Sequence, residues 1–121
     1  MEIQFIYNAK NGLANSIFDL AHKIISPDTY ECNLCKITHG AFKESKKFRE
    51  LKEKYNITLW HIDDYEKKHK KESSYPLIIF RDENGNEFKR IDTNTINATN
   101  SVDELEVIIE ELQINTLELD E

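Results

Sequence analysis

Tyr75-Pro76-Leu77-Ile78-Ile79-Phe80, followed by Asp82-Glu83-Asn84-Gly85-Asn86 and then Glu87-Phe88-Lys89-Arg90-Ile91, is the stretch from which the architecture can be read. The two outer runs carry the aliphatic and aromatic residues that suit a pleated, half-buried surface. An Asn-Gly pair between two such runs is the strongest short-range signal for an antiparallel hairpin. Leu77–Phe80 and Glu87–Ile91 are therefore expected to be paired strands. Downstream, Asn100-Ser101-Val102-Asp103-Glu104 offers a cap residue and early acids, and Leu105, Ile108, Ile109 and Leu112 continue at helical spacing. A closing helix is expected there, with residues 115–121 as a loose acidic tail.

Upstream, Ile57–Ile62 alternates Ile57, Leu59 and His61 on one side with Thr58, Trp60 and Ile62 on the other, the pattern of a strand. Asp63–Ser74 is polar and charged, a short exposed helix or a loop. Ile3–Tyr7 is nearly apolar throughout, which fits a strand covered on both faces. From Leu13 the residues Ile17, Phe18, Leu20, Ala21, Ile24 and Ile25 predict an amphipathic helix that stops near Pro27. Ser26–Thr38 lacks a helical stripe and is expected to be a loop. About Gly40 to Tyr55, with Ala41, Phe42, Phe48, Leu51 and Tyr55 on one side, should be a second amphipathic helix.

A strand–helix–strand crossover, then a hairpin, then a helix describes an α/β fold: a mixed four-stranded sheet flanked by helices. The expected sheet order is Ile57–Ile62, Ile3–Tyr7, Leu77–Phe80, Glu87–Ile91, with the first pair parallel. A length of 121 residues favours one domain, residues 1–114, before the tail.

Composition narrows the function classes. Apolar residues at 39% and charged ones at 32% describe a solvated globule, and no run approaches the length of a membrane span. The N-terminus is strand-like where a secretion signal would be basic and then apolar, so a cytoplasmic location is expected, with no membrane partner. A net charge of −7 argues against nucleic acid. Charge is uneven: Glu66–Glu72 holds four lysines, and Ser101–Glu121 holds eight acids and no base. Such runs are ordinarily solvated faces. Neither a phosphate-cradling G-x-x-x-x-G-K-[ST] loop nor a G-x-S-x-G turn is present.

The chemically pointed feature is Cys32-Asn33-Leu34-Cys35, which holds both cysteines of the chain. A reducing compartment makes C-x-x-C a sign of redox chemistry or metal binding more than of a structural staple. In dithiol exchange, Cys32 attacks a disulfide and Cys35 resolves the mixed disulfide. Lys36 favours the thiolate and Glu31 opposes it. The partner would be a protein or small-molecule disulfide, and no cofactor is needed. Two alternatives stand beside this. Cys32, Cys35 and His39, with His22 or His61, could form a Cys/His zinc site, but a fourth ligand is not evident and stoichiometric zinc is not expected. The cysteines could also be inert residues of a non-catalytic interaction domain. His69, inside the lysine run, reads as solvated, and Trp60 as core.

The stretch Tyr75-Pro76-Leu77-Ile78-Ile79-Phe80, with its Gly-containing turn, strand and terminal helix, resembles the second half of thioredoxins. That resemblance implies a thioredoxin-like fold in which Pro76 is a cis-proline opening a core strand, and in which Tyr75 and Pro76 offer backbone to an extended substrate beside the cysteines. The chain departs from the family between its first two strands: Ala9–Asn15 stands where the family places its C-x-x-C, and Cys32 arrives about twenty residues later. Either an extra helix is inserted and Cys32 and Cys35 begin the equivalent of the family's first helix, or they sit on a decorated loop. The residues Tyr7-Asn8-Ala9, Ser26-Pro27 and Tyr30-Glu31-Cys32-Asn33-Leu34-Cys35 are also similar to a group of small uncharacterised bacterial proteins, which implies no function.

Overall fold

The computed structural model of the chain describes residues 1–8, 33–38 and 45–120, with side chains through residue 113. Strands β1 (Glu2–Ile6), β2 (Ile57–Trp60), β3 (Leu77–Arg81) and β4 (Glu87–Ile91) form one sheet in the order β2-β1-β3-β4. β1 runs parallel to β2, with Ile3 beside Ile57 and Ile6 beside Trp60, and antiparallel to β3, with Ile6 beside Leu77. β3 and β4 are the antiparallel hairpin, with an irregularity at Phe80/Arg81. Its turn is closed locally: the Asp82 carboxylate accepts from the backbone N–H of Asn84 (2.9 Å) and Asn86 (3.0 Å), and Gly85 takes φ +85°, which its missing Cβ allows. The Tyr75–Pro76 peptide is cis. This is the expected α/β architecture and strand order.

The described helices are α1 (Asn33–Thr38), α2 (Lys46–Lys54), α3 (Ile62–Lys68), α4 (Thr93–Asn97) and α5 (Val102–Asp120). Four differences from the sequence-based expectations have physical causes. α1 lies in what was expected to be loop, because six residues are too short to display a stripe; Leu34, Cys35 and Thr38 are its buried side. β2 ends at Trp60, and Ile62 opens α3 instead of closing the strand. α4 is built from weak helix formers and is held by its cap, the Asp92 carboxylate accepting from Thr95 N–H at 2.8 Å, and by burial of Ile96. α5 carries its helical backbone through the acidic tail to Asp120, since propagation from a long helix needs no new nucleus. The helix expected over Leu13–Ile25 and the residues Ala41 and Phe42 lie outside the described residues.

Alternation along the strands gives the sheet two unlike faces. Ile3, Phe5, Tyr7, Ile78, Phe80 and Ile91 point to one side, where α1, α2 and α5 bring Leu34, Cys35, Phe48, Leu51, Leu105 and Ile109. Each fully buried side chain of this kind contributes about 1.5–3 kcal/mol relative to its exposed state. Ile6, Leu77 and Ile79 point to the other side and meet Tyr65 of α3, with Trp60 and Tyr75 packed alongside. The acidic run on α5 faces the lysines of α2: Lys47 pairs with Asp103, and Lys54 with Glu106 (3.0 Å) and Glu110 (3.1 Å). Among the described residues, no helix is long and apolar enough to cross a membrane.

Candidate dithiol site at one end of the sheet

Cys35 is fully buried on the apolar face, and its sulfur is engaged in a disulfide. The chain's other cysteine, Cys32, lies outside the described residues. The helix that carries Cys35 is fastened at both ends. Thr38 donates its hydroxyl proton to the Leu34 carbonyl at 2.9 Å, so the bond of 3.0 Å between Tyr7 and Thr38 is donated by the tyrosine hydroxyl. Tyr7 directly follows β1, so α1 is tied to the end of that strand. At the other end of α1, the Asn33 side-chain amide donates to the carbonyls of Ile96 (2.7 Å) and Thr99 (2.8 Å). α4 thereby joins the site.

The same short helix reaches Pro76. Thr93, its first residue, donates its hydroxyl proton to the Pro76 carbonyl at 2.9 Å and accepts one from the Ser74 hydroxyl at 2.8 Å. Because Ile6 pairs with Leu77, Tyr7 and Pro76 are the next residues outward at one end of the sheet. The helix that carries Cys35 and the buried Pro76 are thus linked through α4, and Tyr7, which holds that helix, lies next to Pro76 at the sheet end. The Tyr75 side chain is not part of this group. It turns to the opposite face, where its hydroxyl donates to Glu66 (2.9 Å) and accepts from Glu72 N–H (3.1 Å). Burial, partly offset by the hydrogen bond from Glu72 N–H and reinforced by the Glu66 carboxylate, pushes its phenol up to about 12.

Of the residues considered as zinc ligands, His22 and His39 lie outside the described residues, as Cys32 does. His61 precedes α3, its Nδ1 3.7 Å from the Asp64 carboxylate and its buried Nε2 without a hydrogen-bond partner among the described residues. Among the described residues, no three Cys, His, Asp or Glu side chains converge as a metal site would require.

One polar cluster was missed by the sequence reading. Gln4, only 1% exposed, stands mid-strand on the face opposite Cys35. Arg81 Nε donates to Gln4 Oε1 at 2.7 Å, so the Gln4 amide nitrogen faces His69 Nε2 at 3.3 Å. Arg81 also donates to the Tyr65 hydroxyl at 2.9 Å and to the Gly85 carbonyl at 3.1 Å. His69 stacks on Tyr65, ring centroids 4.7 Å apart, and meets Trp60 edge-on at 5.8 Å. The expectation of a solvated His69 is therefore corrected: burial, and then the charge of Arg81, hold its imidazole below the ordinary value. A glutamine inside an otherwise apolar central strand was the available signal. Comparison of the chain with family models, curated proteins and solved structures finds no match.

Proposed function

We propose that the chain is a thioredoxin-like thiol–disulfide oxidoreductase working through Cys32 and Cys35. The observation that carries this is the placement of Cys35: buried, in a disulfide, on a helix clamped to the sheet end where a cis-proline precedes β3. The cis bond at Pro76 agrees with what the thioredoxin resemblance implies. A buried second cysteine suits the resolving role, since it is sheltered from outside disulfides until a mixed disulfide forms beside it. The Cys32 thiolate attacks one sulfur of a substrate disulfide, and the other substrate sulfur leaves and takes a proton. Cys35, losing its proton, then displaces the substrate's first sulfur and closes the intrachain disulfide. Two electrons and two protons pass to the substrate, which leaves as two thiols. Backbone groups at Tyr75 and Pro76 hold the extended substrate, while the Tyr75 phenol, on the other face, takes no part.

Alkylation rate against pH for Cys32→Ser and Cys35→Ser separates the roles. The single thiol of Cys35→Ser should react fast, with an apparent pKa below the free value of about 8.5, and the single thiol of Cys32→Ser slowly. Two equally slow thiols titrating near the free value would instead support a non-catalytic domain.

A further inference from the structure

A second site lies on the face of the sheet opposite Cys35. A cavity of about 490 Å³ opens where α3, the segment after it, β3 and β4 meet, with Lys70, Lys71, Arg81 and Arg90 on its walls. Among the described residues only two acids, Glu72 and Glu87, share that lining, so it carries a surplus of two positive charges in a chain whose net charge is −7. Both carboxylates are already engaged. Glu87 accepts from Arg90 Nε at 2.6 Å and from its terminal nitrogen at 2.7 Å, and Glu72 accepts from Arg90 at 3.0 and 3.3 Å. Glu2, across the sheet from Arg81, turns its carboxylate to the Thr58 hydroxyl at 2.7 Å.

Donors, in contrast, are left over. A guanidinium has five N–H groups. Arg81 gives three to neutral acceptors, the Gln4 amide, Tyr65 hydroxyl and Gly85 carbonyl, and forms no ion pair among the described residues. Tyr65 accepts from Arg81 and keeps its own proton to give. Arg81 Nε can only donate, which fixes the Gln4 amide so that its nitrogen donates to His69 Nε2; the imidazole proton is then on Nδ1, available as a further donor. Lys70 and Lys71 are exposed and without partners among the described residues.

We infer that this cavity binds the phosphate group of a small phosphorylated molecule. The spare donors outnumber what one carboxylate can accept, and a phosphate monoester brings three acceptor oxygens and a charge of about −1.5 to −2, close to the surplus on the walls. The planar guanidinium of Arg81, pre-oriented by Gln4 and Tyr65, suits such a group. The cavity exceeds the size of phosphate alone and falls in the usual range for small ligands, about 300–1,000 Å³, which leaves room for an organic part. The site is independent of the cysteines.

The test is a titration of the isotope-labelled full chain with pyrophosphate at constant ionic strength, followed by amide NMR shifts. Saturable shifts centred on Lys70, Lys71, Arg81 and Gly85 are expected, and acetate at equal ionic strength should not displace them. Lys70→Gln/Lys71→Gln, which removes no hydrogen bond or ion pair among the described residues, should weaken binding about tenfold or more, the scale of losing charge-assisted hydrogen bonds. Arg81→Lys should weaken it further, with the lysine pair deciding the matter if that variant does not fold. Binding should be the same in Cys32→Ser/Cys35→Ser. Absence of saturation, shifts scattered over the surface, or unchanged affinity in Lys70→Gln/Lys71→Gln would overturn the assignment.

Discussion

The two faces of the sheet solve the same packing problem with different chemistry. The face that holds Cys35 is sealed by Leu34, Phe48, Leu51, Leu105 and Ile109, and its hydrogen bonds, from Asn33 and Tyr7, sit at the margin where they fasten α1. The opposite face has a smaller apolar cluster and places a buried polar residue, Gln4, in its centre, satisfied by Arg81 and His69. Apolar burial is non-directional, whereas a buried polar network has one arrangement in which all members are paired. The first face should therefore carry most of the stability, and the second a fixed geometry.

The largest effect should come from the sealed face. Phe48, fully buried with its ring 5.5 Å from that of Phe5, should cost about 3–5 kcal/mol when changed to alanine, read from urea unfolding. A loss below 1 kcal/mol, on the same scale as a surface change, would break the contrast between faces. Gln4→Leu should cost less, about 1–3 kcal/mol, because it strands Arg81 Nε and His69 Nε2. Adding Arg81→Leu to it should cost less than the sum of the two single changes, the signature of a coupled pair in a double-mutant cycle.

His69 gives a smaller, pH-dependent effect. Its folded value lies below the ordinary 6.5, so the unfolded chain takes up the proton first as pH falls. Stability linked to His69 is thus full above about 6.5 and is lost as pH drops from there toward the lower folded value. Thermal unfolding should show this decline, and His69→Gln should flatten it; an unchanged slope would place His69 outside the network. At the bottom of the scale, Lys54→Ala should leave the urea midpoint unchanged within error, since its pairs with Glu106 and Glu110 are at the solvent surface.

How much of this was legible follows from the range of the interactions. The hairpin was readable because Asn84-Gly85 encodes its turn locally and Gly85 takes the positive φ it needs. β1 was readable because Ile3, Phe5 and Ile6 mark a strand buried on both faces. α1 and α4 were not, since each is about a turn long and exists through partners distant in sequence, Asn33 reaching Ile96 and Thr99 and Thr93 reaching Pro76. Within the candidate site, the cysteine spacing was visible. That the Tyr75 side chain would turn away from it was not, because its facing depends on Glu66 and Glu72 on the other side of the sheet. His69 was hidden among lysines for a similar reason: Gln4, Tyr65 and Arg81 come to it only through the fold.

Redox activity of the Cys32–Cys35 pair can be read from its equilibrium with defined thiol–disulfide buffers, the thiols counted by mass after alkylation. A working dithiol pair should give a reversible two-electron couple with a midpoint between about −120 and −270 mV, the span of disulfide-exchanging proteins. A midpoint below about −300 mV, the range of structural disulfides, or a disulfide that does not equilibrate with the buffer at all, would contradict it.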